Sequence, residues 1–161
     1  MVKVLLDTSF LLPIVGIRIK DIKDKDLRIL EKLSYEKKVT FYVSEIIWVE
    51  FVGIIHKLIR KTSKNNRDDI INTISIGLSS LKQSGYINWI NIGCREIEYA
   101  LLLKEKGHKD VIDNLLYSIA LLRGMYFLSI DTKFINFLKA NNFKTNMFIT
   151  PEELLRLSEN M

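Results

Sequence analysis

Four acidic residues, spread over most of the chain, occur in settings that favour one shared site. Asp7 ends the short apolar run Val2–Leu6 and is followed by two hydroxyl residues. Glu50, Asp113 and Asp131 occur in comparable settings further along. Carboxylates gathered in one place repel one another unless a cation neutralises them. Because Mg²⁺ and Mn²⁺ prefer oxygen ligands, we expect a divalent metal site suited to phosphate chemistry.

Glu50 is the hardest of the four to explain as a structural residue. It is the only charge in the apolar run 46–55. On a helix, its neighbours three and four residues away are isoleucines and a glycine, none of which can pair with a carboxylate. Such a group must find a distant cation, reach solvent or hold a metal.

The other three acids each have a simpler alternative explanation. Asp7 and Asp131 both follow strand-like runs and could serve as helix N-caps. Asp113 could be an acid in the first turn of a helix, favoured there by the helix dipole. Asp110 is explained adequately as the N-cap of that helix, so it is the weaker site candidate. For these residues the capping and site interpretations both stay open.

Short apolar runs alternate with helical patterns, which predicts an α/β protein. We expect one domain over residues 1–161, with three layers and a central parallel sheet of about five strands flanked by helices. The predicted strands are Val2–Leu6, Thr40–Val43, Tyr86–Ile90, Met125–Ser129 and Met147–Ile149. Helices are predicted over 24–37, 44–61, 66–83, 93–106, 110–123, 131–140 and 151–159. The helix over 66–83 should have one apolar face, packed on the core or on a second subunit.

Composition indicates a soluble cytoplasmic protein. Hydrophobic residues make up 48% of the chain, yet no apolar stretch reaches the roughly 18 residues of a membrane span. The basic-then-apolar pattern of a secretory signal is also missing at the amino end. The single cysteine, Cys94, is expected to be a small core residue, and the two histidines do not form a zinc pattern with it.

The charge balance mildly favours a polyanionic partner. Lys and Arg total 24 against 19 for Asp and Glu, a net charge of +5. A solvated helix end explains the densest basic cluster as well as nucleic-acid binding does. We call this cluster the basic patch; it consists of His56, Lys57, Arg60, Lys61, Lys64 and Arg67.

Taken in order, these motifs resemble the PIN domain, whose best-known members are the VapC-like toxin ribonucleases. The resemblance extends over nearly the whole chain. Two features depart from the commonest pattern, namely Ser9, where Asn is frequent, and a long spacer between Glu50 and Asp113. The matching segments are Asp7-Thr8-Ser9, Ser44 to Glu50, Asp113 with Ala120 seven residues on, and Ser129-Ile130-Asp131-Thr132-Lys133-Phe134.

The resemblance implies a metal-dependent endoribonuclease that is active with Mg²⁺ or Mn²⁺. By position, the four acids match Asp7, Glu50, Asp113 and Asp131. Hydroxyl groups that flank them in the family match Thr8, Ser9 and Ser129. The partners it implies are RNA, an antitoxin protein if the chain is a toxin, and a second copy in a homodimer. An RNA-processing nuclease that is not a toxin fits the same motifs.

The expected chemistry is hydrolysis of phosphodiester bonds by water that divalent ions activate. Asp7 and Asp113 are the predicted inner-sphere ligands, while Glu50 and Asp131 bind a second ion or orient the water as general base. Thr8 or Ser129 would donate hydrogen bonds.

Other classes fit the residues less well. A phosphatase with an aspartyl-phosphate would need a second aspartate two residues after Asp7, where the chain has Ser9. A flap-type DNA nuclease shares a related fold but carries additional helical regions. A PIN-type scaffold that binds RNA or protein without catalysis is the remaining alternative.

Overall fold

Strands and helices alternate along the chain in the computed structural model, which describes residues 1–160. The strands are β1 (Val2–Leu6), β2 (Val39–Ser44), β3 (Ile87–Ile90) and β4 (Tyr126–Leu128). The α-helices are α1 (Thr8–Leu11), α2 (Asp24–Tyr35), α3 (Ile47–Lys61), α4 (Arg67–Gln83), α5 (Cys94–Glu105), α6 (Val111–Leu122), α7 (Thr132–Ala140) and α8 (Pro151–Glu159). Short 3₁₀ helices span Leu12–Val15 and Lys64–Asn66. No helix in this part of the chain is long and apolar enough to cross a bilayer.

All four strands lie parallel in one sheet, in the order β3-β2-β1-β4. The chain moves outward from β1 to β2 and β3, and then returns to place β4 on the other side of β1. Such a reversal opens a crevice at the carboxyl ends of the two strands on either side of it. The ends of β1 and β4, which carry Asp7 and Ser129–Asp131, are therefore adjacent.

Helices flank the sheet, so the predicted α/β architecture is confirmed. The central strand β1 buries Val4 and Leu5 completely. Helix α6 is mostly apolar and buries Leu116, Tyr117 and Ile119 completely, as expected for a helix packed inside the fold. Because this helix is fixed by its packing, the position of Asp113 in its first turn is fixed too.

The sheet has four strands among the described residues, one fewer than the sequence predicts. The segment 147–149 forms only an isolated parallel bridge between Phe148 and Phe127. Two backbone hydrogen bonds join it to β4, Phe127 N to Met147 O at 2.8 Å and Ile149 N to Phe127 O at 3.1 Å. The segment cannot extend further because Thr150 caps α8 and Pro151 has no N–H to donate.

Helix α4 has the predicted apolar face, and that face packs on the fold itself. Ile74 and Leu81 are buried. Gly77 allows close contact with the 3₁₀ helix 12–15, because a Cβ at this position would lie 2.6 Å from the Cα atom of Val15. The long spacer between Glu50 and Asp113 is thus occupied by a helix that belongs to the domain.

The expectation for Cys94 is wrong, because this residue is exposed. Cys94 is the first residue of α5, and a residue in a first turn can face solvent although the helix as a whole packs on the core. Helix α1, a single turn that begins directly after Asp7, is not predicted by the sequence pattern.

Candidate metal centre

Five carboxylates line one cleft of about 310 Å³ at the carboxyl edge of the sheet. All four predicted acids are among them, although they come from positions as far apart as 7 and 131. The cleft is lined by Asp7, Ser9, Leu12, Glu50, Asp110, Asp113, Ile130 and Asp131.

Asp7 is held at the crevice between β1 and β4. Its backbone N–H donates to Leu128 O at 3.1 Å, which joins the ends of the two strands. Its Oδ2 atom accepts hydrogen bonds from Ser9 Oγ at 2.9 Å and Ser129 Oγ at 3.0 Å. Burial raises the pKa of Asp7, while these two hydroxyl donors oppose the shift.

Glu50 is positioned by α3 and by the hydroxyl of Thr8, the first residue of α1. Ile47 and Phe51, both almost completely buried, fix the first turn of α3 against the core. Thr8 Oγ1 donates a hydrogen bond of 2.5 Å to Glu50 Oε2, and Thr8 itself is only 1% exposed. Burial raises the pKa of Glu50, and the hydrogen bond from Thr8 partly counteracts that effect.

Asp113 lies in a strongly perturbed environment. Among residues 1–160, no hydrogen bond or salt bridge reaches its carboxylate. Burial, followed by the negative charges of its acidic neighbours in the cleft, raises its pKa from 3.8 to about 8. A group shifted this far is protonated at neutral pH unless a cation replaces the proton.

Asp131 both caps a helix and lines the cleft. Its Oδ1 atom accepts a hydrogen bond from Phe134 N at 2.9 Å and so caps α7, while the residue also lines the cleft. Ser129 connects Asp131 to Asp7. The Ser129 hydroxyl donates a hydrogen bond to Asp7 and accepts one from the backbone N–H of Asp131 at 3.2 Å.

Asp110 is the cleft residue that the sequence analysis undervalued. It caps α6 as predicted, accepting hydrogen bonds from the N–H groups of Ile112 and Asp113. It also lines the cleft, and its charge contributes to the raised pKa values of Glu50 and Asp113. The available signal was its spacing, since residues three apart at a helix start lie on one face.

The donor set fits a hard divalent cation. Within residues 1–160, none of the salt bridges involves a cleft acid, so the negative charge there is not neutralised by the protein. No three His, Cys, Asp or Glu side chains of these residues already surround a single point. Mg²⁺ does not need such a cage, because it keeps several waters and binds through one or two carboxylates together with substrate phosphates.

Solved structures with a similar fold include two toxin–antitoxin structures. VapBC2 from Rickettsia felis, bound to a DNA fragment from its promoter, is 19% identical, with a TM-score of 0.54 over 84% of this chain and 92% of that one. A toxin–antitoxin complex from Klebsiella pneumoniae is 17% identical, with a TM-score of 0.52 over 92% and 97%. PAE2754 from Pyrobaculum aerophilum is 14% identical, with a TM-score of 0.62 over 99% and 91%.

The sequence itself carries a family signature. A search of curated proteins finds no match. The family model of the PIN domain, a family of nucleases, matches residues 4–139. The matched segment is most of the chain and contains all five acids of the cleft. The chain therefore belongs to the PIN domain family.

Proposed function

We propose that this chain is an endoribonuclease that hydrolyses RNA phosphodiester bonds and depends on Mg²⁺ or Mn²⁺. One observation carries the proposal: five carboxylates without a cationic partner among residues 1–160 line a cleft at the reversal point of a parallel sheet. Membership of a nuclease family supports it. A scaffold that only binds RNA would have no need to keep so much like charge together.

Each acid has a role in this proposal. Asp7 and Asp113 bind the cation, which when bound neutralises charge on phosphate oxygens and acidifies water. Glu50 and Asp131 hold a second cation or accept a proton from the attacking water. Burial raises the pKa of Glu50, which makes its carboxylate a better proton acceptor than an ordinary glutamate. Ser129 and Thr8 keep Asp7 and Glu50 in place through their hydrogen bonds.

Cleavage of mixed RNA with and without Mn²⁺ tests the proposal. We expect cleavage by the wild-type protein, loss of cleavage on chelation, and no cleavage by Asp7→Asn. Asp68→Asn is the matched control, because Asp68 is exposed and lies in the first turn of α4, outside the cleft. Metal binding without cleavage would favour the scaffold alternative. Turnover by a folded Asp7→Asn protein would contradict the assignment.

We further propose that the enzyme is a cytoplasmic, homodimeric toxin inhibited by an antitoxin protein. Similar folds in two toxin–antitoxin structures support this. The acidic cleft would accept a cationic side chain of the inhibitor. We expect the product of an adjacent small gene to abolish cleavage at equimolar amounts. A stable complex that cleaves RNA at the normal rate would contradict inhibition at the cleft, and absence of any inhibitor would favour an RNA-processing role.

A further inference from the structure

Helix α3 begins at the cleft and carries two lysines further along, in line with Glu50. Glu50 is in its first turn. At 3.6 residues per turn, residues seven and eleven positions further on return to within about 20° of the direction of Glu50. These residues are Lys57 and Lys61. With a rise of about 1.5 Å per residue, they lie roughly 10 Å and 16 Å along the helix from Glu50. We call these two residues the lysine stripe.

The helix surface at Gly53, beside the line from Glu50 to the lysine stripe, is open. Gly53 lies between Glu50 and Lys57 on this side of the helix, and nothing lies within 4 Å of the position that a Cβ would occupy there. Lys57 and Lys61 are exposed, and neither belongs to a salt bridge with any residue of 1–160. A ligand in the cleft can therefore extend along α3 without meeting a side chain at position 53.

The two other basic-patch residues of α3, His56 and Arg60, point in other directions. On the same helical geometry, Arg60 is rotated by about 80° and His56 by about 120° from Glu50. A favourable interaction with the helix dipole explains a cation in the last turn, which is where Lys61 lies. That explanation does not apply to Lys57, which is a full turn earlier. What the two lysines share, and the other basic residues of α3 do not, is their alignment with Glu50.

We propose that the lysine stripe binds the phosphates of an RNA strand next to the cleaved bond, so that the strand leaves the cleft along α3. This inference rests on the proposed function. An acidic cleft repels a polyanion, so binding needs cations outside it. Two lysines in line suit the regularly repeated phosphates of a nucleic acid, to which Lys binds as a point charge without reading bases. An acidic protein would offer no such regular repeat.

Binding without cleavage isolates this proposal from the catalytic one. The probe is a fluorescent, unstructured 20-nucleotide RNA, and binding is measured by anisotropy in the Asp7→Asn background between 50 and 200 mM salt. For Lys57→Ala/Lys61→Ala we expect about tenfold weaker binding. The slope of log K against log salt should fall by about 1.4, that is, 0.7 for each lost phosphate contact. Lys57→Arg/Lys61→Arg should restore both values.

The control is Lys32→Ala/Lys139→Ala, which removes the same charge from exposed positions in the last turns of α2 and α7. We expect it to leave affinity and slope unchanged. Equal weakening by both double variants, or by neither, would overturn the proposal, as would an equal loss of binding to poly-glutamate. If the stripe variants lose RNA binding while the wild type cleaves nothing, the proposed catalysis fails and the stripe stands. If the wild type cleaves RNA but the stripe variants bind RNA normally, the lysine-stripe proposal fails and the proposed catalysis stands.

Discussion

The five cleft acids have different surroundings, and those surroundings decide where protons reside without metal. Asp7 is the most buried, at 9% exposed, but two serine hydroxyls stabilise its charged form. Asp113 receives no such donor from residues 1–160, and its pKa is raised to about 8. Interacting acids of this kind titrate as a group. The metal-free cleft should therefore hold a proton on Asp113 at neutral pH.

Stability should consequently fall with rising pH in the metal-free protein. The folded-state pKa of Asp113, about 8, is above its ordinary value of 3.8. The folded chain therefore binds the proton more tightly, and its stabilising effect is lost as the pH rises through that range. Asp113→Asn removes the ionisation. In chelator, we expect this variant to exceed the wild-type Tm by a margin that is small at pH 5 and grows towards pH 8.5. A Tm difference between variant and wild type that does not change with pH would contradict the raised pKa of Asp113.

Thr8 gives a second prediction at the level of one residue. Val has the shape of Thr without the hydroxyl, so Thr8→Val keeps the packing and removes the hydrogen bond to Glu50. We expect it to lower the free energy of unfolding by about 1–3 kcal/mol at pH 7, where Glu50 is left without its donor. The loss should be smaller at pH 4, where the carboxylate is largely neutral. Urea unfolding at both pH values measures the loss in free energy of unfolding. Equal losses at pH 7 and pH 4 would contradict a role for the Thr8 hydroxyl in stabilising the charged form of Glu50.

What the sequence could reveal about single residues depended on how many explanations each residue had. Glu50 was identifiable because an isolated carboxylate in an apolar helix has few structural explanations. Asp110 was discounted because capping explained it fully, and nothing local shows that a capping residue also lines a cleft. The exposure of Cys94 depends on which side of α5 packs, which is a property of the tertiary structure.

At the level of elements, hydrophobic patterns predicted the helices and strands well where the patterns were long. The parallel sheet followed from the alternation of strands and helices, and α8 from its Thr150-Pro151 cap. The segment 147–149 has the composition of a strand but forms only a bridge. Strand formation depends on available partners and length, and neither can be read from three residues.

The fit of α4 against the 3₁₀ helix 12–15 gives a prediction at this scale. Gly77→Ala would place its Cβ 2.6 Å from the Cα atom of Val15, which is backbone and cannot turn aside. We expect a loss of about 1–3 kcal/mol in the free energy of unfolding. Gly53→Ala is the matched control, because Gly53 is also helical but has open space around it. There the better helix propensity should stabilise the protein by about 0.5–1 kcal/mol. If urea unfolding shows that both variants change the free energy of unfolding in the same direction, the packing explanation is wrong.

For the whole molecule, charge is segregated: an acidic cleft lies within a chain of net charge +5. The repulsion among the cleft acids is a cost to the fold that hydrogen bonds from Thr8, Ser9 and Ser129 reduce only in part. The site brings together the carboxyl ends of β1 and β4 and the first turns of α3 and α6. Repulsion in the cleft therefore opposes the packing of four elements at once, and a bound cation should stabilise them together.

Divalent cations should accordingly raise the global stability of the protein. A ligand that binds only the folded state stabilises it by about 2.7 kcal/mol at one hundred times its Kd. For a chain of this size, that corresponds to a rise in Tm of roughly 5–10 °C. We expect this rise with Mg²⁺ or Mn²⁺ in the wild-type protein, and little of it in Asp7→Asn or with NaCl at equal ionic strength. Thermal unfolding followed by circular dichroism measures the shift. If Asp7→Asn and the wild type respond alike to Mn²⁺, the cation binds elsewhere on the surface, and the cleft is not the metal centre.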